Sequence, residues 1–212
     1  MTGEAVVDLV LEGADDLVAV HLGGWPFNCA RTLGRLEQPV AYLGRISSDR
    51  FGALLRDQLR ADGVSLEAVV STEDPTTLAL AEIDASGAAT YRFYVDGTSA
   101  PGLTPEAAMS VLPERVDVLH AGTLGLVFEP MADALEAVFG EVGEGTLVMI
   151  DVNVRAPVIR DPAAYGLTIA FTLSGSSRPA RSAASVSSSA KWPVTIASRS
   201  TRPAAARAIA AG

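Results

Sequence analysis

The sequence has 212 residues, of which 49% are hydrophobic and 19% are charged. This composition is typical of a globular domain with a core and excludes an intrinsically disordered chain. The net charge of −9 argues against a nucleic-acid-binding protein, because neutralising phosphates requires a basic surface. No apolar run approaches the roughly 20 residues that cross a bilayer, so we expect a cytoplasmic protein without a membrane partner.

The residue types that build disulfides and metal sites are scarce. The single cysteine, Cys29, excludes an internal disulfide and every multi-cysteine metal site. His21 and His120 lie too far apart for the H-E-x-x-H zinc motif, and the single lysine, Lys191, follows no G-x-x-x-x-G-K phosphate-binding loop. We therefore predict no metal-ligating residue and expect a small molecule as the ligand.

Strands and helices are predicted in alternation up to residue 161. The apolar patterns predict strands at 5–11 and 17–22, a helix at 28–36, a strand at 40–43, a helix at 51–62, a hairpin of strands 76–84 and 89–95, a helix at 105–112, a strand at 116–120, a helix at 130–139 and a strand at 147–152. This alternation predicts an α/β fold with a mostly parallel sheet covered on both faces. Strand 17–22 and the hairpin break the alternation and are predicted to form a small separate β-layer.

Three short motifs hold residues suited to ligand contact. Gly23 and Gly24 precede a helix that is predicted to begin at Asn28, where the backbone and an amide can approach hydroxyl groups. The same residues are also typical of an ordinary turn and helix cap, and the loop GRISSDRFG is typical of a helix start capped by Asp49. In the motif DVNVR, Arg155 suits a phosphate or carboxylate ligand, or simply a neighbouring acid.

The order and spacing of the motifs are more informative than each motif alone. The runs GEAVVD, GGWPFNCARTLGRL, VAYLGRISSDRFGALLRDQLRADGV, FYVDGTSA, HAGTL and DVNVR together resemble the ribokinase-like (PfkB) family of sugar kinases, most closely its bacterial fructokinase branch. The resemblance covers roughly residues 3–160. It implies phosphoryl transfer from ATP, with Mg²⁺, to a sugar hydroxyl on a Rossmann-like α/β domain, with a β-sheet lid from about residues 11–22 and 76–95.

The resemblance also implies roles for individual residues. The residues implied to bind the sugar are Asp8, Gly23, Gly24, Asn28 and Phe93, and those implied to face the phosphates are Asn153 and Arg155. The Asp8 carboxylate would hold sugar hydroxyls, and Phe93 of the lid would cover the sugar ring. A closed lid would exclude water from the transferred phosphate. A homodimer formed through the lid is a further expectation from the resemblance.

Several positions depart from the family pattern. Trp25 replaces a small residue beside the glycine pair, so we expect a narrowed or reshaped pocket. Val95 stands where family members that act on acid sugars have an arginine, which favours a neutral hexose. The family motif D-T-x-G-A-G-D, which supplies the general-base aspartate and an anion hole, does not occur, and no aspartate follows Asp161. We therefore assign no catalytic residue and expect these 212 residues to be inactive.

The charge pattern changes at residue 161. All 25 acidic residues and 10 of the 16 basic residues lie at or before Asp161, whereas the remainder holds six basic residues and no acidic ones. We therefore divide the chain into a kinase-like part, 1–161, and a Ser/Ala/Arg/Pro-rich tail, 162–212, predicted to be disordered or translated out of frame. Under the alternative hypothesis, the protein is a non-catalytic sugar-binding or regulatory module whose basic tail contacts an acidic partner.

Overall fold

The computed structural model describes residues 1–12, 18–83, 89–143 and 145–151. Its strands are β1 (Val6–Glu12), β2 (Val18–Gly23), β3 (Gly44–Ser47), β4 (Val69–Thr72), β5 (Leu78–Ile83), β6 (Ala89–Tyr94), β7 (Val118–Gly122) and β8 (Leu147–Asp151). Its α-helices are α1 (Trp25–Arg35), α2 (Arg50–Ala61), α3 (Pro105–Ser110) and α4 (Met131–Glu141), and a 3₁₀ turn spans Thr123–Leu126. The predicted tail, 162–212, and the predicted residue 152 of the last strand lie outside the described residues.

Parallel strand pairs form one layer of the fold. β3 pairs with β4 and β7 pairs with β8, in both cases in parallel. Thr2 joins the two pairs, because it forms parallel bridges to Leu43 on one side and to Ala121 on the other. The predicted α/β fold with parallel strands is thereby confirmed.

Helices pack on both faces of this layer. On one face, α3 and α4 enclose a cluster that includes Leu43, Leu103, Leu119, Leu126, Met131, Leu135, Val138 and Phe139. On the other face, α1 and α2 enclose a cluster that includes Val7, Phe27, Tyr42, Ile46, Leu55 and Leu59. Tyr42 and Leu43 are adjacent in sequence and point into different clusters, because successive side chains of an extended segment face opposite ways.

A second, four-stranded sheet has the order β2-β1-β5-β6 and is called the lid sheet below. β1 is antiparallel to β2 and parallel to β5, and β5 and β6 form the predicted antiparallel hairpin. β1 was expected in the parallel layer, but the structure places it in the lid sheet. Gly3 makes this change of sheet feasible, because its φ of +138° is rarely adopted by other residues.

The structure corrects three other predicted boundaries. The strand predicted at 40–43 lies at Gly44–Ser47 instead, and β4 was not predicted. The polar residues of β3 are typical of a turn. In the structure, however, the Arg45 side chain of β3 is paired with the Thr72 hydroxyl (2.7 Å) and the Asp74 carboxylate (2.6 Å). Helix α1 begins at Trp25 rather than at Asn28, since Pro26 suits a first helical turn.

The predicted cap of α2 is confirmed, and α3 has a cap of the same kind. The Asp49 carboxylate accepts a hydrogen bond from the Gly52 N–H (2.7 Å) at the start of α2. The Thr104 hydroxyl accepts one from the Ala107 N–H (3.3 Å) at the start of α3, which Pro105 opens. Within the ranges that the structure describes, no helix combines the length and apolar character needed to cross a membrane.

The packing of α4 predicts the effect of truncating one leucine. Leu135 is 0% exposed in the α3/α4 cluster, whereas Leu36, after α1, is 63% exposed. We expect Leu135→Ala to lower the free energy of unfolding by about 2–5 kcal/mol, because it leaves a cavity. Leu36→Ala should change it by less than about 0.5 kcal/mol. Urea unfolding followed by circular dichroism measures both, and equal effects would contradict the assigned core.

Candidate functional site

A cavity of about 330 Å³ lies between the lid sheet and the first turn of α1. β1 contributes Val6, Asp8 and Val10, which share one face of the strand because every second side chain points the same way. From β6, Tyr91 and Phe93 line the cavity, and their rings are stacked with centroids 6.3 Å apart and planes at 18°. The lid sheet therefore presents one carboxylate and an aromatic pair to the same space.

The Asp8 carboxylate occupies the place where a side chain at Gly23 would lie. A Cβ built on Gly23 would be 2.2 Å from Asp8 Oδ2, which is much closer than two such atoms can approach. Since β1 and β2 pair side by side here, a larger residue at position 23 would displace the Asp8 carboxylate from this place. On the same two strands, His21 lies directly opposite Asp8 and also lines the cavity.

The first turn of α1 forms the opposite wall. Gly24 has φ +102°, and a Cβ there would approach the Glu4 carbonyl oxygen to 2.5 Å. Trp25 is 46% exposed and lines the cavity. Asn28 also lines it, and its N–H donates to the Gly24 carbonyl (2.9 Å), so Asn28 is a first-turn residue rather than the helix cap. The structure thus places an amide side chain in the same cavity as Asp8.

A buried carboxyl group that the sequence reasoning did not select lies at the base of the cavity. Glu4 is 3% exposed and lines the cavity together with Thr123. Its Oε1 accepts hydrogen bonds from the Thr123 hydroxyl and from the Trp25 N–H (3.3 Å). Its Oε2 accepts one from the Gly125 N–H (3.2 Å). The carboxyl group therefore connects β1 to the start of α1 and to the 3₁₀ turn.

Burial changes the ionisation of this group. Desolvation raises the pKa of Glu4 from its ordinary 4.5 to about 7, and the hydrogen bonds from Thr123, Trp25 and Gly125 oppose that rise. Glu4 also lies near the buried Tyr42 phenol, whose pKa is raised mainly by its own burial and further by the charge of Glu4. The site therefore contains a carboxyl group that titrates near neutral pH.

Four of the predicted sugar-binding residues line one cavity, and the fifth borders it. Asp8, Gly24, Asn28 and Phe93 line the cavity, and Gly23 makes room for Asp8. Their role in sugar binding stays a prediction. The phosphate-side residues Asn153 and Arg155 lie outside the described residues. Among the further residues that line the cavity, four have polar side chains that the sequence reasoning did not assign to it, namely Glu4, His21, Tyr91 and Thr123. A signal for Glu4 was present, because it is an acidic residue directly before an apolar strand.

The described residues do not by themselves fit a triphosphate. The side chains that line the cavity include the carboxyl groups of Glu4 and Asp8 but no arginine or lysine. Among the residues that the structure describes, no group of three or more histidine, cysteine or acidic side chains is arranged to hold a metal ion. We therefore derive no step through ATP or Mg²⁺ from these residues.

Comparison with known proteins identifies the family. Residues 4–176 match the pfkB family of carbohydrate kinases. The chain belongs to this family. Fructokinase-2 of Oryza sativa subsp. japonica is 31% identical over 169 residues, which are 74% of this chain and 49% of that protein. Fructokinase-1 of Zea mays is 33% identical over 135 residues, which are 63% of this chain and 42% of that protein. This pfkB-family chain thus spans about half the length of these relatives.

Solved structures show the same fold. A fructokinase from Xylella fastidiosa superimposes with a TM-score of 0.73 at 24% identity, over 82% of this chain and 58% of that chain. The structure of that fructokinase with bound ATP gives a TM-score of 0.72 at 23% identity, over 82% of this chain and 57% of that chain. The predicted fold of the pfkB family is thereby confirmed for the part that the two proteins share.

The raised pKa of Glu4 predicts a pH-dependent stability. The folded protein holds this proton more tightly than the unfolded chain does, so the free energy of unfolding should fall as pH rises from about 4.5 to about 7. The fall attributable to Glu4 should be roughly 3 kcal/mol. Glu4→Gln should lack this component, because an amide does not titrate. Urea unfolding at a series of pH values measures the difference between the two proteins.

The exposed residue Glu67 provides the control. Glu67→Gln should retain the full pH dependence of the parent, because that side chain lies outside the cavity and is exposed. Parallel pH profiles for the parent protein and Glu4→Gln would contradict the placement of Glu4 in a desolvated site.

Proposed function

We propose that this cavity binds a neutral hexose, with fructose as the first candidate, as the sugar-binding part of an ATP-dependent sugar kinase. The observation that carries the proposal is the Asp8 carboxylate, which lies over Gly23 and shares the cavity with Asn28. A carboxylate accepts hydrogen bonds from hydroxyl groups, and an amide both donates and accepts them. Together they match the hydroxyl pattern of a sugar rather than an apolar ligand.

The size and walls of the cavity support the same ligand class. A volume of about 330 Å³ is at the small end of the range for small-molecule sites. The stacked rings of Tyr91 and Phe93 offer an apolar surface to the C–H face of a sugar ring. Trp25 adds a third aromatic side chain at the other wall, so we propose a pocket reshaped around a single hexose.

The charge of the cavity favours a neutral substrate. Glu4 and Asp8 both line it, and no arginine or lysine does among the described residues. Val95, which stands where an arginine would suit an acid sugar, is buried. A carboxylate-bearing or phosphorylated sugar would meet like charge without a cationic partner, which is unfavourable.

Phosphoryl transfer itself needs groups that the described residues do not supply. A general base must reach the attacking hydroxyl, and the sequence contains no D-T-x-G-A-G-D motif. From the family resemblance alone, ATP with Mg²⁺ would be the phosphoryl donor, and Asn153 and Arg155, which lie outside the described residues, would be the residues that face it. The residues of the cavity bind and orient the sugar and exclude water from it.

We also propose that a second copy of the chain covers the outer face of the lid sheet. Val18, Val20 and Tyr94 are exposed there, on the face opposite to His21 and Phe93, because side chains alternate along a strand. An apolar sheet face of this kind is typical of an interface between subunits. A dimer through this face would leave the cavity side of each sheet free for sugar.

The tail keeps a second function open. Six basic residues and no acidic ones follow Asp161, which favours either a frame change or a regulatory module with an anionic partner. Reading the gene in its other two frames beyond residue 165 separates these alternatives, since only a frame change would reveal D-T-x-G-A-G-D there. Both alternatives keep the proposed sugar cavity.

Sugar binding is tested by calorimetry with fructose. We expect saturable binding to the full chain and a loss of at least roughly tenfold in affinity for Asp8→Asn, because a charged hydrogen-bond acceptor is lost. Asp57→Asn is the matched control, since Asp57 is 71% exposed and lies on α2, away from the cavity. No heat at millimolar fructose would contradict the proposal, as would equal losses for the two variants.

Turnover is tested separately. We expect the 212-residue chain to show no ATP-dependent phosphorylation of fructose, because the sequence offers no general base by motif. A coupled assay for ADP release, with other neutral hexoses in parallel, measures this. Fructose-dependent ADP release by the 212 residues that is lost in Asp8→Asn would show that the missing motif is not required.

A further inference from the structure

The Glu4 carboxyl group connects two parts of the cavity wall that are distant in sequence. It accepts hydrogen bonds from Trp25 in α1 and from Thr123 and Gly125 in the turn after β7. All three contacts are donated to it, and a carboxylate has about four lone-pair positions. Three are occupied, so Glu4 is suited to holding the wall in place rather than to removing a proton from a ligand.

The backbone that Glu4 holds is conformationally unusual on both sides. Gly24, directly before Trp25, has φ +102°. Thr123 has φ +55°, which is uncommon for a residue with a β-branched side chain. A backbone in such a conformation persists only where its surroundings hold it. The carboxylate provides such a hold on Thr123, and it binds the residue that follows Gly24.

We propose that Glu4 is a positioning residue of the sugar cavity, and that its ionised carboxylate, by holding the start of α1 and the 123–126 turn together, couples sugar affinity to pH. The sugar part of this inference rests on the function proposed above. When Glu4 is protonated, one oxygen carries a hydrogen and faces the N–H and O–H donors less favourably. Asn28 and Thr123 then lose their fixed separation across the cavity, and the sugar binds more weakly.

Other titratable groups at the cavity can be distinguished from Glu4. Asp8 on β1, His21 on β2 and Tyr91 on β6 line the same space, and Tyr42 donates from its phenol to the Gly3 carbonyl (2.8 Å). Helix α1 presents Trp25 and Asn28, and the 123–126 turn presents Thr123 and Leu124, none of which titrates. His21 pairs with Asp8 across β1 and β2, so the experiment includes a His21 variant beside the Glu4 variant.

The test follows the amide protons that Glu4 binds. In ¹⁵N-labelled full chain, the Trp25 and Gly125 amide resonances should shift with a common midpoint near neutral pH. Both shifts should vanish in Glu4→Gln and persist in His21→Gln and Glu67→Gln. Thr123→Ala should move the midpoint to higher pH, because it removes the hydroxyl donor that favours the charged carboxylate. Thr123→Ser keeps a hydroxyl and should leave the midpoint unchanged.

Fructose calorimetry over the same pH range supplies the second readout. The fructose affinity of the parent should fall by roughly tenfold when the pH is lowered below the midpoint of the amide shifts. The fructose affinity of Glu4→Gln should be weak and should not change across that midpoint. Amides that do not titrate in the parent, or that titrate equally in Glu4→Gln, would overturn the proposal, provided that the dispersed spectrum shows a folded variant. If the amides behave as expected and the parent binds no sugar at any pH, the positioning role of Glu4 stands and the proposed ligand is wrong.

Discussion

The first twelve residues belong to both sheets of the protein, and this shared segment positions everything else at the cavity. Thr2 is hydrogen-bonded into the parallel layer between Leu43 and Ala121. After the turn at Gly3, β1 runs between β2 and β5 in the lid sheet. Because one continuous backbone enters both sheets within a few residues, the lid sheet cannot shift as a body without disturbing the core. Asp8, four residues past Glu4, is placed by the same constraint.

The lid sheet is joined to the layer a second time, and buried polar side chains stabilise that junction. The Asp49 carboxylate caps α2 and also accepts hydrogen bonds from the N–H and hydroxyl of Thr76 (2.8 and 2.6 Å). The Thr77 hydroxyl contacts that of Thr98 (2.8 Å) and accepts from the Ala100 N–H (3.0 Å). Each of the polar side chains named at this junction has a partner, which is the condition for keeping a polar group inside. These bonds fix the point at which the chain enters β5 and leaves β6.

Glu4 lies both at the first junction between the two sheets and in the cavity. Burying a carboxyl group is unfavourable unless donors surround it, and here three donors come from two other segments. Ionisation of the buried Glu4 lowers the free energy of unfolding as the pH rises towards neutral. The ionised carboxylate accepts the hydrogen bonds that hold α1 and the turn after β7 in one arrangement.

The local elements followed from the sequence because their causes are local. Apolar spacing predicted the α/β alternation and the hairpin, and the cap at Asp49 followed from a short polar side chain before an apolar helix. The strand Gly44–Ser47 was misplaced because its polar residues resemble a turn, and only contact with distant Thr72 and Asp74 accounts for them. The start of α1 was placed late because Asn28 resembles a cap.

The sequence by itself determined the family, the alternation of strands and helices, and four residues that line the cavity. Only the tertiary structure decided that β1 belongs to the lid sheet and that Glu4 is buried against Trp25, Thr123 and Gly125. The physical reason is the range of the interactions. Periodicity and capping act over a few residues, whereas the desolvation of Glu4 depends on partners about 120 positions away, which no local pattern encodes.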